Sequence, residues 1–494
     1  MFGLKKLRFV DIGTGLSMIF GTAGLLVASA LHAEEPGSCA PAPSCTVIQG
    51  GGCCDKVYED AAERLKNMNP GCCAPAACTP AASVCDPNAL FNGCGSTGGS
   101  GCVSGCGLLG GGLLSGELGT PWTAMSLFDN DCGGNHFKDK GWVFGGFIQN
   151  GYQNKPDGSF AGNGPFVNQK EYGKFALNQA YLFAGKVADG SKGLDWGFRT
   201  DVMFGLDGNE GQAFGNVNPG HFDYFHGWNH GAYEWALPQL YGEVAYQNLS
   251  VKLGHFYTPI GYEVIPSNGN FFLSRQLTFY NSEPFTHTGA LGTYKVNDKL
   301  TVQGGWVLGM DTGFYQYNGG NSFLGGATYT IDDKTSLIYG MIAGNLGWRG
   351  DGSINSFILS RKWAEKFSTV HQFDVLATNA PVDFNTNPGP NAAFAPGPPG
   401  AGVARNSTGL INYAFYDVAP RVKAGVRYEW YKADGTSYQT LTGGVNIKPT
   451  ANLTIRPEVR YMYAPGNTQT YVGPSYSGQL FNQTVFGIDA ILTF

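Results

Sequence analysis

The last eleven residues, TVFGIDAILTF (Thr484–Phe494), alternate between two kinds of side chain, and this alternation decides the fold. In an extended chain, Phe486 and Leu492 fall on one face and Asp489 on the other. A soluble protein that ends on a strand more often exposes a polar or frayed end. A closed membrane barrel gives such a strand a partner and a lipid-facing side. We therefore expect this segment to be a strand of a transmembrane barrel.

The same alternation recurs from Gly141 onward. It is clearest in WGFRTDVMF (196–204), RVKAGVRYEWY (421–431) and LTIRPEVRYMY (453–463), where apolar side chains fall on one face and charged ones on the other. A soluble sheet explains one strand of this kind. A long series of them with no intervening helix favours a barrel with lipid outside and water inside.

The composition agrees with a barrel and limits the function. Charged residues make up 14% of the chain, against about 25% in ordinary soluble proteins, and the mean hydropathy is −0.14. After residue 33 no stretch approaches the roughly 18 uninterrupted apolar residues that a spanning helix needs. The net charge of −6 and the lack of a basic patch argue against nucleic acid as a partner.

Short polar turns give the number of strands. Seven of them lie between strand candidates, near Gly190, Asn248, Asp298, Asp333, Glu365, Pro420 and Ala451. The opposite ends are joined mostly by longer loops rich in Gly, Asn and Pro, as in outer-membrane barrels. Seven turns join fourteen strands, and the first and last strands bring the total to about 16. The predicted fold class is therefore all-β: an outer-membrane β-barrel of antiparallel strands with a Cys-rich N-terminal extension.

The chain divides into three predicted parts. Residues 1–33 combine basic residues, a moderately apolar core and small residues near Ala33, which is typical of an export signal; a short membrane anchor is the alternative. Residues 34–138 form an extension rich in Cys, Gly, Pro and Ala, predicted to be periplasmic, and residues 139–494 form the barrel. The extension contains all the cysteines: Cys39, Cys45, Cys53, Cys54, Cys72, Cys73, Cys78, Cys85, Cys94, Cys102, Cys106 and Cys132. An even count in an exported chain predicts disulfides, while zinc ligands and free or intermolecular thiols remain alternatives.

Three stretches carry a family resemblance: LNQAYLFAGKV (177–187), LGHFYTPIGYE (253–263) and NFFLSRQLTFYNSEPFTHTG (270–289). They resemble the second of the numbered families of bacterial β-barrel porins, described as OmpL-like, and the similarity covers residues 140 to 494. The resemblance implies a porin-like barrel in the outer membrane. It adds little about the substrate.

Catalysis has weak support in the sequence. There is no HExxH, no GxSxG and no GxGxxG between a strand and a helix, so we expect no enzyme, no cofactor and no metal site. A Ser/His pair in the barrel wall, as in a membrane phospholipase, stays an alternative. His221, His226 and His230 could bind a metal, but their aromatic neighbours favour a packed outer loop.

The charges on the polar faces are the candidate lining of the lumen. They are Arg199, Asp201, Lys252, Arg421, Lys423, Arg427, Glu429, Arg456, Glu458 and Arg460. Both signs are present, so we expect no strong field of one sign. The alternative is that cross-strand ion pairs only brace the wall.

The segment from about residue 259 to residue 284 is an outer loop by the turn count, yet it is far more aromatic than a loop in water should be. We expect it to fold inward and narrow the lumen, with Glu263, Arg275 and Glu283 as a charged constriction. The alternative is that Arg275 and Glu283 only pair with each other and fix the loop.

The predicted function is a porin: a passive aqueous channel in the bacterial outer membrane for small hydrophilic solutes or ions. The alternative is a structural or adhesive barrel that anchors the envelope through the N-terminal extension. The expected partners are outer-membrane lipid and small hydrophilic solutes. A homo-oligomer and an envelope partner for the extension stay open.

Overall fold

The computed structural model describes residues 118–130, 134–154, 173, 175–213, 233–378, 406–433, 436–464 and 482–494. The predicted export signal, all the cysteines and the three loop histidines lie outside these ranges. Within them, no helix is long and apolar enough to cross a membrane.

Antiparallel strands form one closed barrel in which each strand pairs with its neighbours in sequence. The strands are β1 Trp142–Gln153, β2 Ala176–Lys186, β3 Asp195–Gly205, β4 Glu234–Tyr246, β5 Leu249–Tyr257, β6 Thr286–Lys295, β7 Leu300–Val307, β8 Asn321–Asp332, β9 Thr335–Asn345, β10 Asp351–Ala364, β11 Phe367–Thr378, β12 Asn406–Ala419, β13 Val422–Ala433, β14 Thr436–Ile447, β15 Leu453–Tyr463 and β16 Gln483–Thr493. The short helices are α1 His136–Asp139, α2 Gly208–Gly211 and α3 Leu277–Asn281. The predicted fold class and the predicted number of strands are confirmed.

The barrel closes where β16 pairs with β1, from Phe147 opposite Thr493 to Gln153 opposite Gly487. The pairing continues to Phe494, whose N–H donates to Gly146 O at 2.9 Å and whose carbonyl accepts from Gly146 N at 2.9 Å. We call this β1–β16 pairing the seam. The last strand thus has the partner that its apolar end predicted.

The faces of the strands follow the predicted alternation. In β16, Asp489 is buried inside the barrel, whereas Phe486 and Leu492 are exposed on the outside. In β15, Arg460 is buried and Tyr461 is exposed. Large apolar side chains are exposed around the outer wall, which is the face that lipid covers in a membrane barrel.

The seven predicted turns all lie at one end of the barrel, which we call the short-turn end. The connection between β4 and β5 is an example: two residues, Gln247 and Asn248, join the strands, and Gln247 adopts a φ of 50°. A left-handed φ of this kind is what a two-residue hairpin turn requires. At the opposite end, a long connection between β5 and β6 turns back into the barrel.

Candidate functional site

Residues 258–285, which join β5 to β6, lie against the inner wall, and we call them the inward loop. Its apolar side chains pack into clusters on different arcs of the wall. Phe279 packs with Phe147 and Met203 from β1 and β3, while Phe272 packs with Ile411 from β12. The aromatic side chains of the loop are therefore buried inside the barrel, as the sequence predicted.

Glycines in the wall make room for the inward loop. Side chains or backbone of the loop occupy the space where a Cβ would stand on Gly340, Gly409, Gly425 and Gly487. At Gly487, for example, an added Cβ would lie 2.9 Å from Leu273. By contrast, a Cβ on Gly443 of β14 would meet nothing within 4 Å. The wall and the loop are therefore shaped to each other at these positions.

A buried ion pair joins Arg427 of β13 to Glu263 of the loop. Arg427 Nη1 donates to Glu263 Oε1 at 2.6 Å and to Ser274 O at 2.8 Å. Glu263 also accepts from the Tyr413 hydroxyl at 2.8 Å and from Gln276 N at 2.7 Å. Removing one partner of such a pair typically costs about 3–5 kcal/mol, because the other charge stays buried. The pair therefore holds the loop firmly to the wall.

Wall carboxylates bind the loop backbone at two further points. Glu429 of β13 accepts from Leu277 N at 2.8 Å and from Thr278 N at 2.7 Å, at the start of α3. These backbone N–H groups have no partner within the short helix, so a carboxylate satisfies them well. Glu458 of β15 accepts from Ser274 N at 3.1 Å. Both carboxylates thus fix the loop rather than point into open solvent.

A second ion pair, on β15 and β16, holds the first half of the loop. Arg456 donates to Asp489 through Nε at 2.9 Å and through Nη2 at 2.5 Å. Its Nη1 donates to the carbonyls of Ser267 at 3.0 Å and Asn270 at 2.6 Å. The guanidinium therefore connects two strands of the wall to the loop.

Arg275 holds the loop together from within. Its Nη2 donates to Ile265 O at 3.1 Å and to Ser267 Oγ at 3.3 Å, and its Nη1 donates to Leu273 O at 3.2 Å and to Phe272 O at 3.4 Å. The side chain is 1% exposed. Arg275 therefore bridges two parts of the loop that lie apart in sequence.

Glu283 fixes the end of the loop that leads into β6. Gln372 Nε2 donates to Glu283 Oε1 at 2.5 Å and to Asp374 Oδ1 at 3.1 Å, so two carboxyl groups meet at one amide. Burial raises the pKa of Glu283 well above its usual range, and the nearby Asp374 and Glu263 raise it further. Asp311 accepts hydrogen bonds from Phe285 N and Thr286 N, which follow Glu283 in the chain. Burial raises the pKa of Asp311 to about 6.

The predicted lining charges fall into two groups. Arg199, Asp201, Arg427, Glu429, Arg456, Glu458 and Arg460 are buried, whereas Lys252, Arg421 and Lys423 are partly exposed. Arg199 pairs with Asp201 on its own strand. The partly exposed charges lie toward the short-turn end, where Lys423 Nζ is 3.5 Å from Asp417. The partly exposed members of the predicted set therefore all lie in this part of the lumen.

The sequence analysis did not identify the uncharged wall residues that hold the loop. Gln372 of β11 accepts from Tyr262 N and from Gln276, which also donates to Tyr413 of β12. Gln179 of β2 donates to Ile265 O at 2.9 Å. Both glutamines lie at inward positions, but each has a polar neighbour, His371 beside Gln372 and Asn178 beside Gln179, so no sequence signal marks them as anchors of the loop.

A closed antiparallel barrel with an apolar outer face and a loop folded into its lumen defines a transmembrane β-barrel of the porin class. The chain belongs to the family described as "Putative beta-barrel porin-2, OmpL-like", which it matches over residues 137–494. Family and fold together make it an outer-membrane channel.

Several solved structures are similar. The outer membrane channel DcaP of Acinetobacter baumannii is 10% identical, with 72% of this chain and 97% of that chain covered and a TM-score of 0.46. The anion-selective porin from Comamonas acidovorans is 11% identical, with 72% and 99% covered and a TM-score of 0.43. Salmonella typhi OmpF, in complex with daunomycin, is 12% identical, with 72% and 99% covered and a TM-score of 0.45. No curated protein matches the sequence.

Proposed function

We propose that this protein is a passive outer-membrane channel for small hydrophilic solutes or ions, and that the inward loop sets its limiting width. The observation that carries the proposal is the loop itself, held inside the barrel by buried ion pairs from β13, β15 and β16. A barrel of sixteen strands is too wide for wall side chains alone to fill. A loop fixed across it therefore determines how much of the lumen stays open.

The residues predicted as a constriction act in this proposal by holding the loop. Glu263 and Glu283 each bond a wall residue, and Arg275 bonds the loop backbone. Each of them is buried, so a solute would meet the surface of the loop and not these charges. The loop position, and with it the pore width, depends on all three.

Ion preference would come from the partly exposed charges near the short-turn end. Lys252 lies opposite Glu243 in the pairing of β4 and β5, and Lys423 lies near Asp417. The signs are mixed, so the proposed channel discriminates weakly between anions and cations. We assign the short-turn end to the periplasm, as in other outer-membrane barrels. No catalytic role is proposed.

Planar-bilayer recording on the purified protein tests this function. We expect stable unitary conductance steps and a reversal potential close to zero under a salt gradient. Lys252→Glu should move the reversal potential toward cations, and this shift should weaken at high salt because the charge is screened. Silence in several lipid compositions would contradict the channel and favour the anchoring barrel.

A further inference from the structure

The segment that precedes β1 is a folded unit, and we call its described residues, 118–130 and 134–141, the collar. Asn135 organises it. The Asn135 side chain accepts from Phe137 N and Lys138 N at 3.1 Å each, and so caps α1. Its Nδ2 donates to Met125 O and to Asp129 Oδ1, both at 2.7 Å. Asn135 is buried, so the collar has a small polar centre of its own.

The collar is fixed to the barrel on both sides of the seam. Asn452, in the turn between β14 and β15, accepts from Trp122 N at 2.9 Å and donates to Trp122 O at 2.6 Å. The same Nδ2 donates to Thr493 O of β16 at 2.8 Å. At the other side, Phe128 packs edge-on against Phe144 of β1, with ring centroids 5.2 Å apart. The collar therefore passes the seam at the short-turn end.

The contact with Phe144 places the collar next to the outer face. Phe144 has the same strand parity as Trp142 and Ile148, which are exposed on the outside of β1. Trp142 in turn packs against Phe198 of β3, with ring centroids 5.5 Å apart. An apolar surface thus continues from the outer wall of the barrel onto the collar.

The collar leaves its large apolar side chains uncovered. Trp122 is 50% exposed, Leu127 68%, Phe128 44% and Phe137 43%. Phe128 and Phe137 pack edge-on with ring centroids 4.9 Å apart, and exposed apolar contacts of this kind mark interaction sites. Lys138 and Lys140 lie beside them in the sequence. Aromatic residues with nearby lysines are typical of the boundary between headgroups and acyl chains.

We propose that the collar is a membrane-interface segment, whose partner is the lipid leaflet at the short-turn end. Trp122, Leu127, Phe128 and Phe137 insert at the headgroup boundary, and the backbone stays tied to the rim through Asn452. The continuity of the collar with the lipid-facing wall favours lipid over a protein partner. The proposal depends on the barrel lying in a membrane, and it does not depend on the channel being open.

Fluorescence quenching on the full chain tests the proposal. The protein is reconstituted in vesicles of phosphatidylethanolamine and phosphatidylglycerol, with or without brominated acyl chains. The emission of Trp122 is obtained by subtracting the fluorescence of the Trp122→Phe variant from that of the wild type. We expect at least a twofold loss of this emission in brominated vesicles and little quenching by aqueous iodide. Trp306→Phe is the matched control, because Trp306 is exposed on the outer wall of β7 and should also be quenched by bromine.

Two other results would overturn the proposal. Quenching of Trp122 by iodide and not by bromine would place the collar in water. Protection from both quenchers would mean that protein covers it. In that case, new iodide quenching after deletion of residues 34–117 would show that the N-terminal segment covers the collar. Protection that depends on the density of protein in the vesicles would show that a second copy of the chain covers it. If Trp122→Phe does not fold, Phe137→Trp supplies a second reporter. Its emission is the fluorescence that this variant gains over the wild type.

Discussion

Arg275→Met tests whether the inward loop is held from within. Methionine keeps a long apolar side chain but removes all the donors of the guanidinium. The carbonyls of Ile265, Phe272 and Leu273 and the hydroxyl of Ser267 each lose a hydrogen bond. Because Arg275 is only 1% exposed, water does not readily replace these bonds.

The size of the effect follows from these contacts. A hydrogen bond from a charged donor contributes about 1.5–3 kcal/mol, but these four bonds are long and share one guanidinium, so they do not add. Removing a buried charge also removes its desolvation cost. We expect a net loss of about 2–4 kcal/mol in the free energy that keeps the loop in place. At about 1.4 kcal/mol per tenfold, the ratio of fixed to released loop falls by about 30- to 700-fold.

Single-channel recording measures this change. Arg275→Met should raise the mean conductance and the noise of the open state, and should leave the reversal potential unchanged. Lys252→Met is the matched control, because Lys252 is partly exposed and its ammonium group lies over the Tyr241 ring of β4. It should shift the reversal potential toward cations without adding noise.

Two outcomes would refute this reasoning. A shift in reversal potential with unchanged noise in Arg275→Met would mean that the guanidinium lines the pore, as the constriction hypothesis holds. No change in conductance, noise or reversal potential would mean that the loop does not limit the channel at all.

Three further predictions concern the loop and the N-terminal extension. Gly425→Ala forces a methyl group into a loop side chain and should destabilise the folded protein by about 1–3 kcal/mol. The temperature of heat-modifiable gel migration should fall accordingly. Gly443→Ala should have little effect on this temperature because its site is open. Because burial and Asp374 raise the pKa of Glu283, the loop should be held best below the usual glutamate range and should loosen as pH rises through the raised pKa. Open-state noise should follow this trend, and the trend should be weaker in Glu283→Gln, where Asp311, whose pKa burial raises to about 6, still titrates. Deletion of residues 34–117 should leave the conductance nearly unchanged. A lost pore would show that this part of the extension is needed for folding, and a raised conductance would show that it blocks the lumen.

The strand pattern could be predicted because parity and turn chemistry are local properties. Asp489 and Phe486 reveal their faces by position alone, and each short turn carries its own polar signal. The pairing of β16 with β1 then follows from closure, which removes the exposed edges.

The filling of the lumen could not be predicted in the same way. Parity places Arg427 and Arg456 on the inner wall, but it does not say what occupies the space in front of them. Both meet loop atoms that are distant in sequence: Arg427 bonds Glu263, and Arg456 bonds Asn270. Sequence alone leaves bracing and pore-lining roles both open for such residues, because both require a charge that points inward.

The contacts of the inward loop also constrain the order in which the barrel assembles. The loop leaves the chain after β5, yet its anchors on β13 and β15 lie 151 to 189 residues away in sequence. Contacts of such long range are slow to form, since a large segment of chain must be closed first. We therefore expect the strands that come late in the chain to pack around the loop. We also expect seam closure and loop docking to be coupled late steps of folding. A variant with a weakened loop would then insert more slowly, even where the finished barrel is stable.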